Sequence, residues 1–254
     1  MGPLTRWDTH EFTAAAGTRV HAALLGPRDA PTVVCVHGLG CSHRYFLPLA
    51  RALRRDARVV APDLPGFGRT RGPSRALDVR GQSRALADWL RATARGGAVL
   101  VANSTGCQTA VDLAVHSPEL LGPLVLVGPT VDRRARTTVQ QVGRLIADTP
   151  WERPTLGPVL LRDWAACGAK RYAATFAYLL TDPIERKLPH VPVPTVVVRG
   201  ARDPVVPREW AEEVTQRLPA GRLEEVPGVG HTVNWSAPER LARIVRPLLA
   251  GEPT

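Results

Sequence analysis

Residues 98–115 constrain this chain more than any other stretch. An apolar run, Ala98-Val99-Leu100-Val101, stops at Ala102-Asn103-Ser104-Thr105-Gly106-Cys107, and a helix-like stretch from Gln108 to Val115 follows. Such a pattern is a strand, a tight turn and a helix, with Ser104 at the apex. The apex residue is forced into a strained backbone conformation, so the residues two before and two after it must be small, and Ala102 and Gly106 meet that demand. A serine there projects from the end of a sheet. The helix behind it aims free N–H groups and a partial positive charge at the same point, which is what oxyanion chemistry needs.

A serine hydroxyl is a poor nucleophile at neutral pH and needs a base within hydrogen-bond reach, itself oriented by a third group. Candidates for both lie downstream. Pro194 to Arg199 reads as a buried strand, and the loop that leaves it, Gly200-Ala201-Arg202-Asp203-Pro204, offers Asp203 as the orienting acid. A further strand near Leu223 to Val226 runs into Pro227-Gly228-Val229-Gly230-His231, placing an imidazole on a glycine-flanked loop. His231 is the expected base. The other histidines, His10, His21, His43, His116 and His190, lack that setting, and His37 reads as structural.

Serine, aspartate and histidine in that order, each after a strand, is the order of the α/β-hydrolase fold, and two further motifs match it. Val33-Val34-Cys35-Val36-His37-Gly38-Leu39-Gly40 resembles the family's strand and His-Gly loop, and Asp63-Leu64-Pro65-Gly66-Phe67-Gly68 resembles its Asp-x-Pro-Gly-x-Gly turn. The chain as a whole resembles a single-domain α/β-hydrolase with a serine nucleophile. That resemblance implies an oxyanion hole from the backbone N–H groups of Leu39 and Thr105. It also admits Asp132, after the preceding strand, as an alternative acid. The activity implied is hydrolysis of a carboxylic ester or thioester through an acyl-enzyme. A carbon-carbon bond hydrolase, or a biosynthetic acyl-transfer or cyclisation enzyme with the same triad, is the alternative, Asn103-Ser104 and Gly128-Pro129 being faintly similar to the former. A catalytically silent binding protein is the third reading.

Strand–helix alternation supports that fold class, an α/β sheet, mostly parallel, with helices on both faces. Two opening strands, Thr9 to Ala15 and Arg19 to Leu25, are expected to pair at one edge. Thr32 to Val36, Arg58 to Pro62, Ala98 to Ala102 and Leu124 to Val127 then alternate with helices near Tyr45 to Leu53, Ser83 to Ala94 and Gln108 to Val115. From 131 to 190 the alternation breaks into helical sequence without strands. This segment is expected to be a helical lid inserted in a core of residues 1–130 and 191–254. In a lid the apolar stripe faces the substrate, so Trp151, Trp164, Tyr172 and Phe176, with Cys41 and Trp235 from the core, are the expected pocket residues.

Composition excludes several other functions. Of 33 Lys and Arg residues only Lys170 and Lys187 are lysine, leaving 31 arginines against 23 acidic residues, a net charge of +10. No arginine run is interleaved with aromatics as single-strand nucleic-acid binders require, so nucleic acid is not an expected partner. Arg133, Arg134 and Arg136 form a cluster able to steer an anionic substrate. No apolar run nears the ~18 residues that cross a bilayer, and Met1 to Trp7 lacks a secretory pattern, so a cytoplasmic protein without a membrane partner is expected. Cys35, Cys41, Cys107 and Cys167 show neither disulfide nor metal spacing. No His/Asp/Glu set has ligand spacing on one element, so neither metal nor cofactor is expected, and the partner is a small-molecule substrate. Oligomeric state is not legible.

Overall fold

The structure, a computed structural model, describes residues 6–251. Residues 1–5, where the start was read as non-secretory, lie outside the described residues, as do 252–254. Eight strands form one sheet: β1 (Thr9–Ala15), β2 (Thr18–Leu25), β3 (Thr32–Val36), β4 (Arg58–Pro62), β5 (Val99–Asn103), β6 (Leu124–Val127), β7 (Thr195–Gly200) and β8 (Gly221–Val226). Their order is β1-β2-β4-β3-β5-β6-β7-β8. β1 pairs antiparallel with β2, and β2 with β4; every later pairing is parallel.

The central strands are buried on both faces, which is why they read as unbroken apolar runs and not as alternating ones. Val34, Leu100 and Leu126 point to one layer, where the helices α2 (Val79–Ala92), α3 (Thr105–His116) and α8 (Arg208–Arg217) bring Trp89, Leu113 and Trp210. Val33, Val101 and Val125 point to the other, packed by Phe46, by Leu49 and Leu53 of α1 (Leu47–Leu53) and by Leu241 and Val245 of α10 (Pro238–Leu249). With aromatics at 5% of residues, stacked Val, Leu and Ala side chains fill most of both layers. The expected strands agree with these bounds to within a few residues. α3 begins at Thr105, earlier than the apolar pattern suggested, because Ser104 itself occupies its N-cap.

Between β6 and β7 the chain is helical, with α4 (Thr138–Asp148), α5 (Gly157–Cys167), α6 (Ala169–Thr181) and α7 (Ile184–Lys187). α4 is started by a reciprocal cap: Thr137 accepts from Gln140 N–H while Gln140 accepts from Thr137 N–H. α5 and α6 are separated by Gly168 at φ +80°. This segment stands over the carboxyl ends of β5, β6 and β7, where α/β sheets place their ligands. α9 (Val233–Ser236) lies on the return path from β8. Among the described residues no helix is long and apolar enough to cross a membrane.

α3 passes so near β3 that a side chain at Gly106 has no room. A Cβ there would overlap Val36 O and come within 2.8 Å of His37 O. Gly106→Ala is therefore expected to destabilise the protein by at least the ~1–3 kcal/mol typical of overpacking, read as a lowered midpoint in urea.

Candidate active site

The turn at Ser104 has the backbone that the sequence demands. Ser104 sits at φ +55°, ψ −122°, a region that non-glycine residues adopt only when neighbours impose it, at a cost of about 1–3 kcal/mol. Its N–H donates to Val127 O at 2.8 Å, and Cys107 N–H returns to Ser104 O at 3.0 Å, so the turn is tied to β6 in front and to α3 behind. Cys107 is fully buried, its Sγ on Ala102 O and Val127 O, and packs behind the turn.

Asp203 and His231 come together on the neighbouring strand ends. Asp203 Oδ2 lies 2.8 Å from His231 Nδ1, while Oδ1 accepts from the N–H groups of Val205 at 2.7 Å and Val206 at 3.0 Å. The acid's loop is braced by the buried Arg199, whose Nε donates to Val206 O and whose Nη2 donates to Asp203 O. Gly128 leaves the space that the ring fills, since a Cβ there would lie 2.7 Å from His231 Cε1. Asp132, the alternative acid, is turned elsewhere: it pairs with Arg144 at 3.0 Å and accepts from Arg134 N–H.

With Nδ1 on Asp203, the other ring nitrogen, Nε2, is buried and has no hydrogen-bond partner among the described residues. His231 and Ser104 both line a cavity of about 460 Å³, within the range of small-ligand sites. Leu39 and Thr105 line it too. The Gly38 carbonyl is engaged by His37 Nδ1 at 2.8 Å and by Cys41 N–H at 3.2 Å, so the N–H of Leu39, on the opposite side of that trans peptide, is aimed away from both. His37 is structural, as expected: Leu64 N–H donates to its Nε2 at 3.1 Å, leaving Nδ1 as the donor to Gly38.

Of the expected pocket residues, Cys41, Trp164, Tyr172 and Phe176 line the cavity. Trp151 and Trp235 do not. Trp151 is half-exposed on the outer face, with the Arg202 guanidinium 4.8 Å from its ring, and Trp235 packs against the α1/α10 layer with its Nε1 on Thr155 Oγ1. Helical periodicity marks an apolar face without saying which of two surfaces covers it, and the Trp151 ring found the outer one. The arginine cluster is also outside: Arg133 and Arg134 pair with Glu213 and Arg136 with Glu185. None of the three lines the cavity.

Sequence reasoning missed two carboxylates of the helical segment that grip the histidine loop. Asp148, the last residue of α4, accepts from His231 N–H at 3.0 Å. Glu152 accepts from Thr232 N–H at 2.6 Å, from the Thr232 hydroxyl, and from Ser236 Oγ at 2.7 Å. Asn103 Nδ2 donates to Val127 O at the end of β6 and, from the other side of the same loop, to His231 O. Burial, reinforced by the charges of Glu152 and Asp203, raises the Asp148 pKa against the pull of His231. Burial alone would depress His231, but Asp203, by charge and hydrogen bond, and then Asp148 and Glu152 outweigh it and hold the imidazole up at about 9. No local pattern marks this grip, because Asp148 and Glu152 reach the histidine loop only through tertiary packing.

The strain at Ser104 is testable apart from any chemistry. Ser104→Gly relieves the positive φ, so it is expected to be more stable than Ser104→Ala by about 1 kcal/mol, measured by denaturant unfolding of the two variants side by side. Equal stabilities would mean that the turn stores no strain.

The comparisons with known proteins agree with this fold. A family model described as "Alpha/beta hydrolase family" matches residues 33–244. The chain is 23% identical over 256 residues to the magnesium-chelatase 30 kDa subunit of Rhodobacter capsulatus, covering 89% of each chain. It is 26% identical over 255 residues to the pimeloyl-[acyl-carrier protein] methyl ester esterase of Aromatoleum aromaticum, covering 88% of this chain and all of that one. In fold it is similar to the solved structure of a bacterial membrane phospholipase A, with a TM-score of 0.82 at 24% identity over 96% of this chain and 86% of that one. With the sheet order, the serine turn and the matched span in agreement, the chain belongs to the alpha/beta hydrolase family.

Proposed function

We propose that the protein is a serine hydrolase that cleaves a carboxylic ester or thioester of a small, largely apolar substrate through an acyl-enzyme. One observation carries the reading: the only free nitrogen of His231 is buried, and its ring shares a cavity with Ser104, while its other nitrogen is committed to Asp203. A buried polar atom without a partner costs free energy, and one on the wall of a cavity is available to take a proton during reaction.

In the proposed reaction Ser104 Oγ attacks the carbonyl carbon as His231 Nε2 takes its proton. Asp203 fixes Nδ1–H and stabilises the imidazolium. The tetrahedral oxygen is held by the N–H groups of Leu39 and Thr105, the latter at the start of α3, where the helix dipole adds to the field. His231 then returns the proton to the leaving oxygen or sulfur, and water attacks the acyl-enzyme with the same base. The Ser104–His231 hydrogen bond that this reaction requires forms when substrate fills the cavity, as it commonly does in such sites.

Residues 131–190 act in this scheme as a lid, supplying Leu160, Trp164, Tyr172 and Phe176 to the substrate's apolar part. The charged side chains that line the cavity are Asp148, Glu152, Arg153 and His231, and the first two already serve the histidine loop. An uncharged acyl group suits that lining better than a dicarboxylate.

A fluorophosphonate probe is expected to label Ser104, and Ser104→Ala to lose both labelling and hydrolysis of short-chain nitrophenyl esters by ~10³-fold or more. Absence of an adduct on the folded protein would leave a binding role in place of catalysis.

The carboxylates around His231 give a second prediction. Because the neutral ring is the base, kcat/KM should climb with pH toward about 9, the pKa at which His231 loses its proton. Asp148→Asn keeps an acceptor for His231 N–H but removes a charge that favours the imidazolium, so the acidic limb should move to lower pH. The same substitution should stabilise the fold at neutral pH and above: a carboxyl whose folded pKa is raised binds more protons folded than unfolded, so it costs stability as pH rises past its unfolded value of 3.8. A limb that stays in place would remove Asp148 from the base's environment.

A further inference from the structure

On the β1–β2 side of the sheet, three imidazoles from three separate elements meet. His10 lies on β1, His21 on β2, and His43 in the turn that follows the His37-Gly38 loop. Register explains the first two: Phe12 stands opposite His21, which makes His10 the diagonal neighbour of His21 on the same face. One ligand atom from each of the three rings lies within 4.8 Å of those of the other two, and His10 Nδ1 is 2.9 Å from His21 Nε2. His21 is fully buried and His43 nearly so, while His10 opens to solvent.

Asp63 sets the direction of two rings. Its carboxylate accepts the backbone N–H groups of His43 at 2.7 Å and Arg69 at 2.8 Å. It also meets His21 Nδ1 at 2.7 Å and His43 Nδ1 at 3.0 Å. An oxygen pair engaged by two N–H donors acts as acceptor toward the rings as well, so each Nδ1 carries the proton and each Nε2 is left with a lone pair. A carboxylate behind an imidazole, fixing its tautomer and sharpening its basicity, is the arrangement that supports histidine metal ligands. Spacing along the chain gave no hint of this, because the ligands come from three elements.

We propose that His10, His21 and His43 form a binding site for one divalent ion of the zinc class, with Asp63 orienting His21 and His43. His21 and His43 offer Nε2, and His10 offers Nδ1 once its proton moves to Nε2. Three nitrogen ligands leave a fourth position, on the open His10 side, for water. The ion would tie the edge strand β1 to the turn that carries Asp63, and through Leu64 N–H on His37 to the loop bearing Leu39. Arg19 and Arg69, whose guanidinium groups lie over the Phe12 ring at 5.2 and 5.3 Å, are nearby cations that the ion must tolerate. The proposal does not depend on the hydrolase reading.

The test uses tag-free protein and the metal alone. Equilibrium dialysis against zinc is expected to show one bound equivalent, cobalt(II) to give the visible absorption of a four-coordinate nitrogen site, and zinc to raise the melting temperature. His10→Ala, on an exposed edge position, should lower zinc affinity by at least about tenfold and abolish the melting shift. His116→Ala and His231→Ala should leave both unchanged. No bound equivalent, or binding that survives His10→Ala or disappears with His231→Ala, would overturn the assignment.

Discussion

Backbone crowding at the carboxyl ends of β3, β5 and β6 is the constraint on which the rest depends. Four chain segments converge there: the strand end at Val36-His37, the turn at Ser104, the end of β6 at Gly128 and the histidine loop. They fit only because three of the meeting positions carry no side chain. A Cβ on Gly106 would strike β3, one on Gly38 would come 3.2 Å from Ser104 Cβ, and one on Gly128 would occupy the volume of the His231 ring. Close packing of this kind holds Ser104 at a positive φ, because the hydrogen bonds to Val127 and from Cys107 leave the turn no relaxed alternative.

Electrostatics then acts on a geometry already fixed. Three carboxylates surround one imidazole, and they do different things. Asp203 faces Nδ1 and is itself held by two backbone N–H groups, so its charge is pinned where the ring can use it. Asp148 and Glu152 take the backbone of His231 and Thr232, and Gly230 is small because the Asp148 carboxylate lies where its Cβ would be. Removing charge from water costs free energy, and Asp148 meets that cost by holding its proton more tightly than a free carboxylate.

The sequence made the fold and the candidate site readable because both rest on local rules. A buried parallel strand is a run of Val and Leu, a sharp strand-to-helix turn needs small flanks, and a loop histidine beside two glycines announces itself. Ser104, Asp203 and His231 could be named from such rules as candidates, and the structure sets Asp203 against His231 and has Ser104 and His231 line one cavity. What stayed hidden depends on the way the 131–190 helices settle on the sheet. Trp151 and Trp164 both sit in the aromatic stripe, yet one caps Arg202 outside and the other lines the cavity, a choice made by tertiary contact. The same holds for Arg133 and Arg136, whose partners Glu213 and Glu185 come from distant elements. His10, His21 and His43 are likewise neighbours only through strand register and a loop crossing.

That helical segment joins two properties usually treated apart. Its side chains line most of the apolar cavity, and its carboxylates hold the loop that carries the imidazole. A displacement of α4 that widened the cavity would also draw Asp148 from His231 N–H, leaving the ring with fewer negative neighbours and a lower proton affinity. Cavity size and the proton affinity of the His231 ring are therefore mechanically linked, since Asp148 ends the same helix whose Gln141 and Leu145 line the cavity. Substitutions that enlarge the pocket through α4 act on the imidazole as well, whereas those on α6, at Tyr172 or Phe176, reshape the cavity without touching the residues that grip it.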